Sequence, residues 1–155
     1  MLSKFFKTTP SISPLIARIT IGLVIFPHGA QKILGIWGGH GLTPVMKSFE
    51  QWFGIPFFIT FLVAVAEFFG SIALILGFLS RFSAGSIIAV MLGAIYFVTG
   101  SHFFMNWYSE PGRGEGFELH LLVIGLCLIV LISGGGKYSI DGWIHSKLNT
   151  KEENE

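Results

Sequence analysis

Four long apolar runs fill most of the chain between residues 13 and 132, with little hydrophilic sequence to cover them. A helix crossing the hydrocarbon core of a bilayer needs roughly 20 predominantly apolar residues. The runs fall at about 13–34, 55–79, 82–104 and 117–132, and the fourth is short enough that an earlier start is expected. They are continuous rather than alternating, which disfavours a β-barrel. Lipid admits only helices or closed barrels. Charge supply points the same way: 12% of the residues are charged, against roughly 25% in an average soluble domain. So few charges cannot wet the surface of a small globule. A mean hydropathy of +0.69 excludes a disordered chain, which needs low hydrophobicity and high charge. The predicted fold is all-α, a transmembrane four-helix bundle embedded in the lipid bilayer.

Other classes fall away on simple grounds. A net charge of +1 leaves no basic face for nucleic acid. The single cysteine, Cys127, excludes an intramolecular disulfide, a CxxC pair and a thiolate zinc site. The first apolar run is interrupted by Arg18 and followed by no A-x-A-like cleavage site, so it is expected to be a retained helix rather than a signal peptide. Orientation follows from Lys and Arg placement. Four helices put both termini and the Ser80-Arg81 turn on one side, with Lys4, Lys7, Arg81, Lys137, Lys147 and Lys151. The other side has Lys47 and Arg113, with Lys32 near a helix end. Both termini are therefore expected in the cytoplasm. The expected divisions are a cytoplasmic segment at 1–14, a membrane domain at 15–134 and a cytoplasmic tail at 135–155, frayed from residue 149. The loops at 35–54 and 105–116 then face outward. Trp37, Trp52, Trp107 and Trp143 fall near helix ends, where an interfacial aromatic belt forms. Gly70, Ser71, Gly77, Gly85, Gly93 and Gly125 are expected to serve close helix packing.

The informative residues are those that do not belong in hydrocarbon: Arg18, His28, Gln31, Lys32, Glu67, His102, Glu118 and His120. A charge at mid-bilayer costs about 2.5–3.5 kcal/mol on insertion scales, so such residues turn inward and seek partners. At about 1.5 Å per helical residue, His28 lies past the midplane and Glu67 near it. His102, Glu118 and His120 flank the same outer end. All four helices thus send polar groups toward one half. His28, Gln31 and Lys32 share i, i+3 and i+4 spacing on the first helix, and Pro27 is placed to kink it and widen a cavity there. Glu67 has two readings: an interhelical pair with Lys32 or Arg18 that fixes packing, or a proton-carrying carboxylate. Arg18 can simply snorkel to the interface. The histidines lack a tight H-x-x-x-H spacing, which argues against haem or another metal centre. The candidate catalytic groups are Glu67, His28 and Glu118. The candidate ligand-binding groups are Arg18, Gln31, Lys32, His102, Asn106 and Trp107. No metal site is expected.

These residues also carry a family resemblance. They include Ala17-Arg18, Pro27-His28-Gly29-Ala30-Gln31-Lys32, Glu67-Phe68-Phe69-Gly70 and Gly77-Phe78-Leu79-Ser80-Arg81. They continue with His102, Gly116-Phe117-Glu118-Leu119, and Gly134-Gly135-Gly136-Lys137-Tyr138-Ser139-Ile140-Asp141. In this order and spacing the chain resembles the DoxX family of integral membrane proteins, over nearly its whole length. The resemblance implies a four-helix protein of the cytoplasmic (inner) membrane. It also implies an association with redox work, since members are related to the small subunits of thiosulfate:quinone oxidoreductases. Others are linked with oxidative-stress and thiol systems or with cargo export. With Cys127 alone, redox chemistry must use a bound quinone, another cofactor or a partner subunit.

Three functions follow as expectations. The first is a redox component or accessory oxidoreductase subunit, with a quinone head group in the outer half of the bundle, near His28 or His102, and protons passed by Glu67 or Glu118. The second is a small-molecule transporter using the same cavity. Only four helices and no inverted repeat stand against it unless the chain forms a homo-oligomer. The third is a non-catalytic structural subunit whose polar groups specify packing alone.

Overall fold

The computed structural model describes residues 6–100, 102–106, 108 and 116–152, with the side chains of 151 and 152 left aside. Among the described residues all regular structure is helical. Helix α1 spans Ser13–Leu34, α2 Leu42–Phe53, α3 Phe57–Leu76, α4 Ser80–Ala94, α5 Glu118–Ser133 and α6 Ile140–Glu152. A π-helical turn, Ile95–Thr99, continues α4. Helices α1, α3 and α4 with its π turn are long and apolar enough to cross a membrane. Helix α5 has 16 residues, or about 24 Å of axis, somewhat less than a bilayer core.

Helix α1 begins with Pro14 in its first turn, where a proline's missing N–H is no loss, and ends at Gly35 in the left-handed conformation. It runs through Pro27 without a break. Helix α3 closes with a Schellman arrangement: Gly77 N–H bonds Leu74 O at 3.1 Å and Phe78 N–H bonds Ala73 O at 2.9 Å. Gly77 has φ +67°, and a Cβ there would lie 2.5 Å from Ser139 Cβ. A side chain at this position would meet both backbone strain and a steric block.

The four long helices pack in a ring in the order α1, α3, α4, α5, with α5 back against α1. Ile21, Leu74, Ile87, Val123, Cys127 and Val130 meet in the centre. Outside the ring, Phe57, Phe58, Phe61, Leu62, Leu122 and Ile132 are exposed, as lipid-facing side chains should be.

Two parts of the architecture differ from expectation. The loop expected at 35–54 contains α2. Leu42, Val45, Met46, Phe49 and Phe53 form one stripe at helical spacing, and Lys47, Ser48, Glu50 and Gln51 fill the other face. A search for apolar runs long enough to span a bilayer passes over such a segment. The segment expected as a tail contains α6, which stays helical through residues expected to fray. Helix α5 also starts no earlier than the apolar run itself. Its entry is set by Phe117 N–H to His102 O at 3.1 Å and Glu118 N–H to Phe103 O at 3.0 Å.

The end of the bundle where α3 turns into α4 is held by side chains that satisfy helix termini. Asp141 of α6 accepts the N–H groups of Leu79 and Ser80, each at 2.8 Å, and so caps α4. Arg81 donates to Leu131 O and Ile132 O, both at 3.0 Å, and closes α5. Arg18 does most. It is 1% exposed and donates to Leu74 O at 3.0 Å, Ile75 O, Gly135 O at 2.9 Å, Tyr138 O at 2.8 Å and Lys137 O at 3.4 Å. Its charge therefore does not snorkel to water; it is spent on carbonyls that hydrocarbon would leave unpaired. Arg18→Ala should lower stability by at least about 3 kcal/mol, since hydrogen bonds to a charged group contribute about 1.5–3 kcal/mol each. Arg18→Lys should recover only part, because one ammonium cannot reproduce the planar fork. Heat denaturation in mild detergent reads this, and an Arg18→Ala midpoint equal to wild type would refute it.

Candidate functional site

The site begins with two glycines on α1. A Cβ at Gly22 would lie 2.4 Å from Ile75 Cγ1, and one at Gly29 would lie 2.4 Å from the backbone nitrogen of Phe68. Backbone therefore rides on backbone where α1 meets α3. Of the small residues expected to serve close packing, Ser71 lies opposite Gly22 and Gly77 is closely approached by Ser139 and Arg18, whereas four others are not in close contact. Gly93 and Gly125 have no heavy atom within 4 Å of a built Cβ, and Gly70 and Gly85 have contacts only at 3.8 and 4.0 Å. Phe26 stacks on Phe68 with ring centroids 5.5 Å apart, which fixes the register of the crossing.

That register determines the polar contact. Lys32 lies three residues beyond Gly29, and Glu67 immediately precedes Phe68. Lys32 Nζ donates to Glu67 Oε2, forming an ion pair between the two helices. Glu67 is 5% exposed. Of the two partners considered for it, Lys32 is the one it meets, while Arg18 faces the other end of the bundle. A charge in this position is tolerated only when paired.

The pair borders an open cavity of about 1140 Å³ lined by α1, α3, α4 and α5, with exposed side chains such as Leu62, Phe69 and Phe82 at its edge. His28 and Lys32 of α1, Glu67 of α3 and His120 of α5 line it, and the remaining lining is almost wholly apolar. Phe49 of α2 and Ile55 border it at the loop end. The π turn contributes Phe97 and Val98. His120 lies within electrostatic reach of His28. Its Nδ1 is buried and has no hydrogen-bond partner among the described residues. A buried polar atom left unpaired is costly, and such exceptions call for an explanation.

The other candidate residues are elsewhere. Gln31 turns away from the His28–Lys32 stripe and donates to Trp37 O at 2.9 Å, tying down the loop after α1. Glu118 accepts Met105 N–H at 3.2 Å and lines a second pocket with Phe103 and Leu122, which adjoins the first at Met105 and Leu119. His102 is exposed and contributes its carbonyl to the start of α5. Asn106 is half-buried and does not line the larger cavity. Trp107 lies outside the described residues. Glu118 and His120 part company because residues two apart on a helix do not face the same way. That spacing was the available signal that only one of them could join His28.

Beyond this geometry, a family model described as DoxX matches residues 13–100, from the start of α1 to the end of the π turn. The chain belongs to the DoxX family. Among curated proteins it is similar to the inner membrane protein YqjF of Escherichia coli (strain K12). The two are 28% identical over 141 residues, covering 91% of this chain and 98% of that protein. No solved structure matches. This DoxX-family chain is thus a multi-pass protein of the cytoplasmic membrane, with its apolar helices in the bilayer. The matched region contains His28, Lys32 and Glu67, whereas His120 lies beyond it.

The ion pair admits a direct test. Lys32→Met or Glu67→Leu alone should destabilise the protein by about 3–5 kcal/mol, because each leaves an uncompensated charge in an apolar setting. The double variant should regain most of that loss. Denaturation midpoints of all four proteins in one detergent supply the cycle, and purely additive losses would count against a paired contact.

Proposed function

We propose that this chain is a redox-associated membrane component whose cavity binds a quinone head group. One observation carries the reading: four titratable side chains from three helices line one otherwise almost wholly apolar cavity. A quinone matches that division. Its ring oxygens accept hydrogen bonds, which an ammonium or an imidazole N–H can donate. Reduction to the quinol takes up two electrons and two protons. His28, His120 and Glu67 are groups that can hold and pass protons at hydrogen-bond range. A partner subunit would supply the electrons, since Cys127 has no second thiol to work with.

A carrier would use the same lining, but the observed pair favours a static site. Lys32 and Glu67 join the two helices that meet backbone to backbone. Alternating access asks one part of a bundle to rock against another, and this seam is poorly suited to that. The test is native mass spectrometry with an absorption spectrum on protein purified in mild detergent, beside His28→Ala and Glu67→Gln. A quinone should co-purify with wild type and be lost, in whole or large part, from both variants. A ligand-free wild type with variants indistinguishable from it would turn the reading toward a structural subunit.

The orientation belongs to the same proposal. The Lys and Arg balance supports a cytoplasmic location for residues 1–14 and 135–155 on either side of a membrane domain at 15–134. The polar groups of the cavity then lie in the outer half of the bilayer. A green fluorescent protein fused after residue 155 should fluoresce, and alkaline phosphatase fused there should be inactive. The reverse pattern would invert the assignment.

A further inference from the structure

Helix α2 joins the end of α1 to the start of α3, and one of its side chains belongs to the cavity wall. Lys32, in the last turn of α1, and Ile59, in the first turn of α3, line the cavity at that end. Phe49 of α2 and Ile55 just beyond it line it as well. Yet α2 is held lightly. Met46 is the one buried residue of its twelve, and Leu42, Val45, Phe49 and Phe53 of the same stripe are half-buried. Among the described residues no side chain of α2 makes a hydrogen bond or ion pair with another element, and Ser48 Oγ bonds Pro44 O inside the helix at 3.0 Å. An element with so few buried contacts and no polar tie opens at low cost.

Both ends of α2 carry glycine in a conformation that suits a hinge. Gly41 has φ +81° and Gly54 φ +65°. Crowding does not demand glycine in either place. A built Cβ would meet nothing within 4 Å at Gly54, and only Gly35 Cα, at 4.0 Å, at Gly41. What glycine supplies here is backbone freedom, and hinges are a few residues at element ends that absorb large φ/ψ changes. We infer that α2 is a lid. It swings about Gly41 and Gly54, withdraws Phe49 from the cavity wall, and opens a water route to the Lys32–Glu67 pair. The stripe it bares is that of an amphipathic helix, which a membrane surface accommodates. The lid serves whatever ligand the cavity takes, and its test needs none.

A cysteine in the cavity reads the lid. Val63 lines the cavity one turn before Glu67 on α3, so Val63→Cys is the reporter. Cys127, fully buried in the core, is the internal monitor of wholesale unfolding. The full-length protein in lipid nanodiscs is treated with a charged, membrane-impermeant methanethiosulfonate, and mass spectrometry follows each thiol. With α2 seated the reporter should react slowly. Met46→Ala loosens α2 without touching the cavity wall. It should speed the reporter at least about tenfold, since truncating a buried methionine weakens its packing by more than that factor. Met46→Val is the milder change should the first fail to fold. Trp52→Ala, at an exposed position of α2, should leave the rate unchanged, and Cys127 should stay unreactive throughout. Four results would each overturn the lid: a reporter as fast as a free thiol with α2 intact, a rate unmoved in the folded Met46 variant, an equal rise in Trp52→Ala, or a rise matched by Cys127.

Discussion

Inside a bilayer no water is available to satisfy a carbonyl at a helix end, and the fold depends on how Arg18 meets that constraint. Its guanidinium reaches the last turn of α3 and the glycine-rich segment between α5 and α6 in one contact. Two features far apart in sequence are fastened by one side chain near the start of the first helix. Gly77 is part of the same arrangement, since its missing Cβ leaves the room in which the guanidinium carbon lies, 3.0 Å from where that Cβ would be. Asp141 completes the knot by joining the start of α6 to the start of α4. An arginine suits this place better than a lysine because its planar fork addresses several acceptors at once.

Fastening one end leaves the other free to differ. The α1–α3 seam is closed at Gly22 and Gly29, so Lys32 and Glu67 must meet. On the opposite side of Glu67 the neighbouring walls stay apart. The pair thus has two faces, one embedded in a tight seam and one bordering a cavity. A charged pair is weak evidence of stability in itself, and its location at the edge of a cavity with two histidines is what supports the proposed redox role.

Much of the bundle was legible in the sequence because hydrocarbon length is a blunt requirement. The four apolar runs could be counted, and α1 and α3 end at Gly35 and Gly77, glycines in plain view. Helix α2 was not legible by that route, since its apolar residues form a stripe rather than a run. Helix α6 escaped because it is tied down by tertiary contacts at Asp141, whose carboxylate caps α4 and whose N–H bonds Gly77 O at 2.9 Å, and no local pattern announces them. For the site, the i, i+4 spacing correctly put His28 and Lys32 together and Glu67 had Lys32 among its two possible partners. Gln31 and Arg18 went elsewhere because their donors answer nearby or distant carbonyls, and sequence spacing does not reveal where unpaired carbonyls will be. Glycines posed the same difficulty. Gly22 and Gly93 look alike in a list, but one is pressed against Ile75 and the other faces open space.

The two groups of buried polar residues differ in what lies beside them. Around Arg18, the guanidinium donors and the Asp141 carboxylate oxygens all have partners. A network satisfied in this way rigidifies a structure and has no capacity for a ligand. At the other end, Lys32 and Glu67 engage each other, but His120 Nδ1 stays unpaired at the wall of an open volume. Leaving a buried nitrogen without a partner is a cost that packing alone does not explain. A ligand oxygen or N–H at that wall would remove it. Ser80 Oγ, beside the Asp141 cap, is unpaired as well, so it is the open volume next to His120, and not the unpaired atom alone, that supports the proposed binding role.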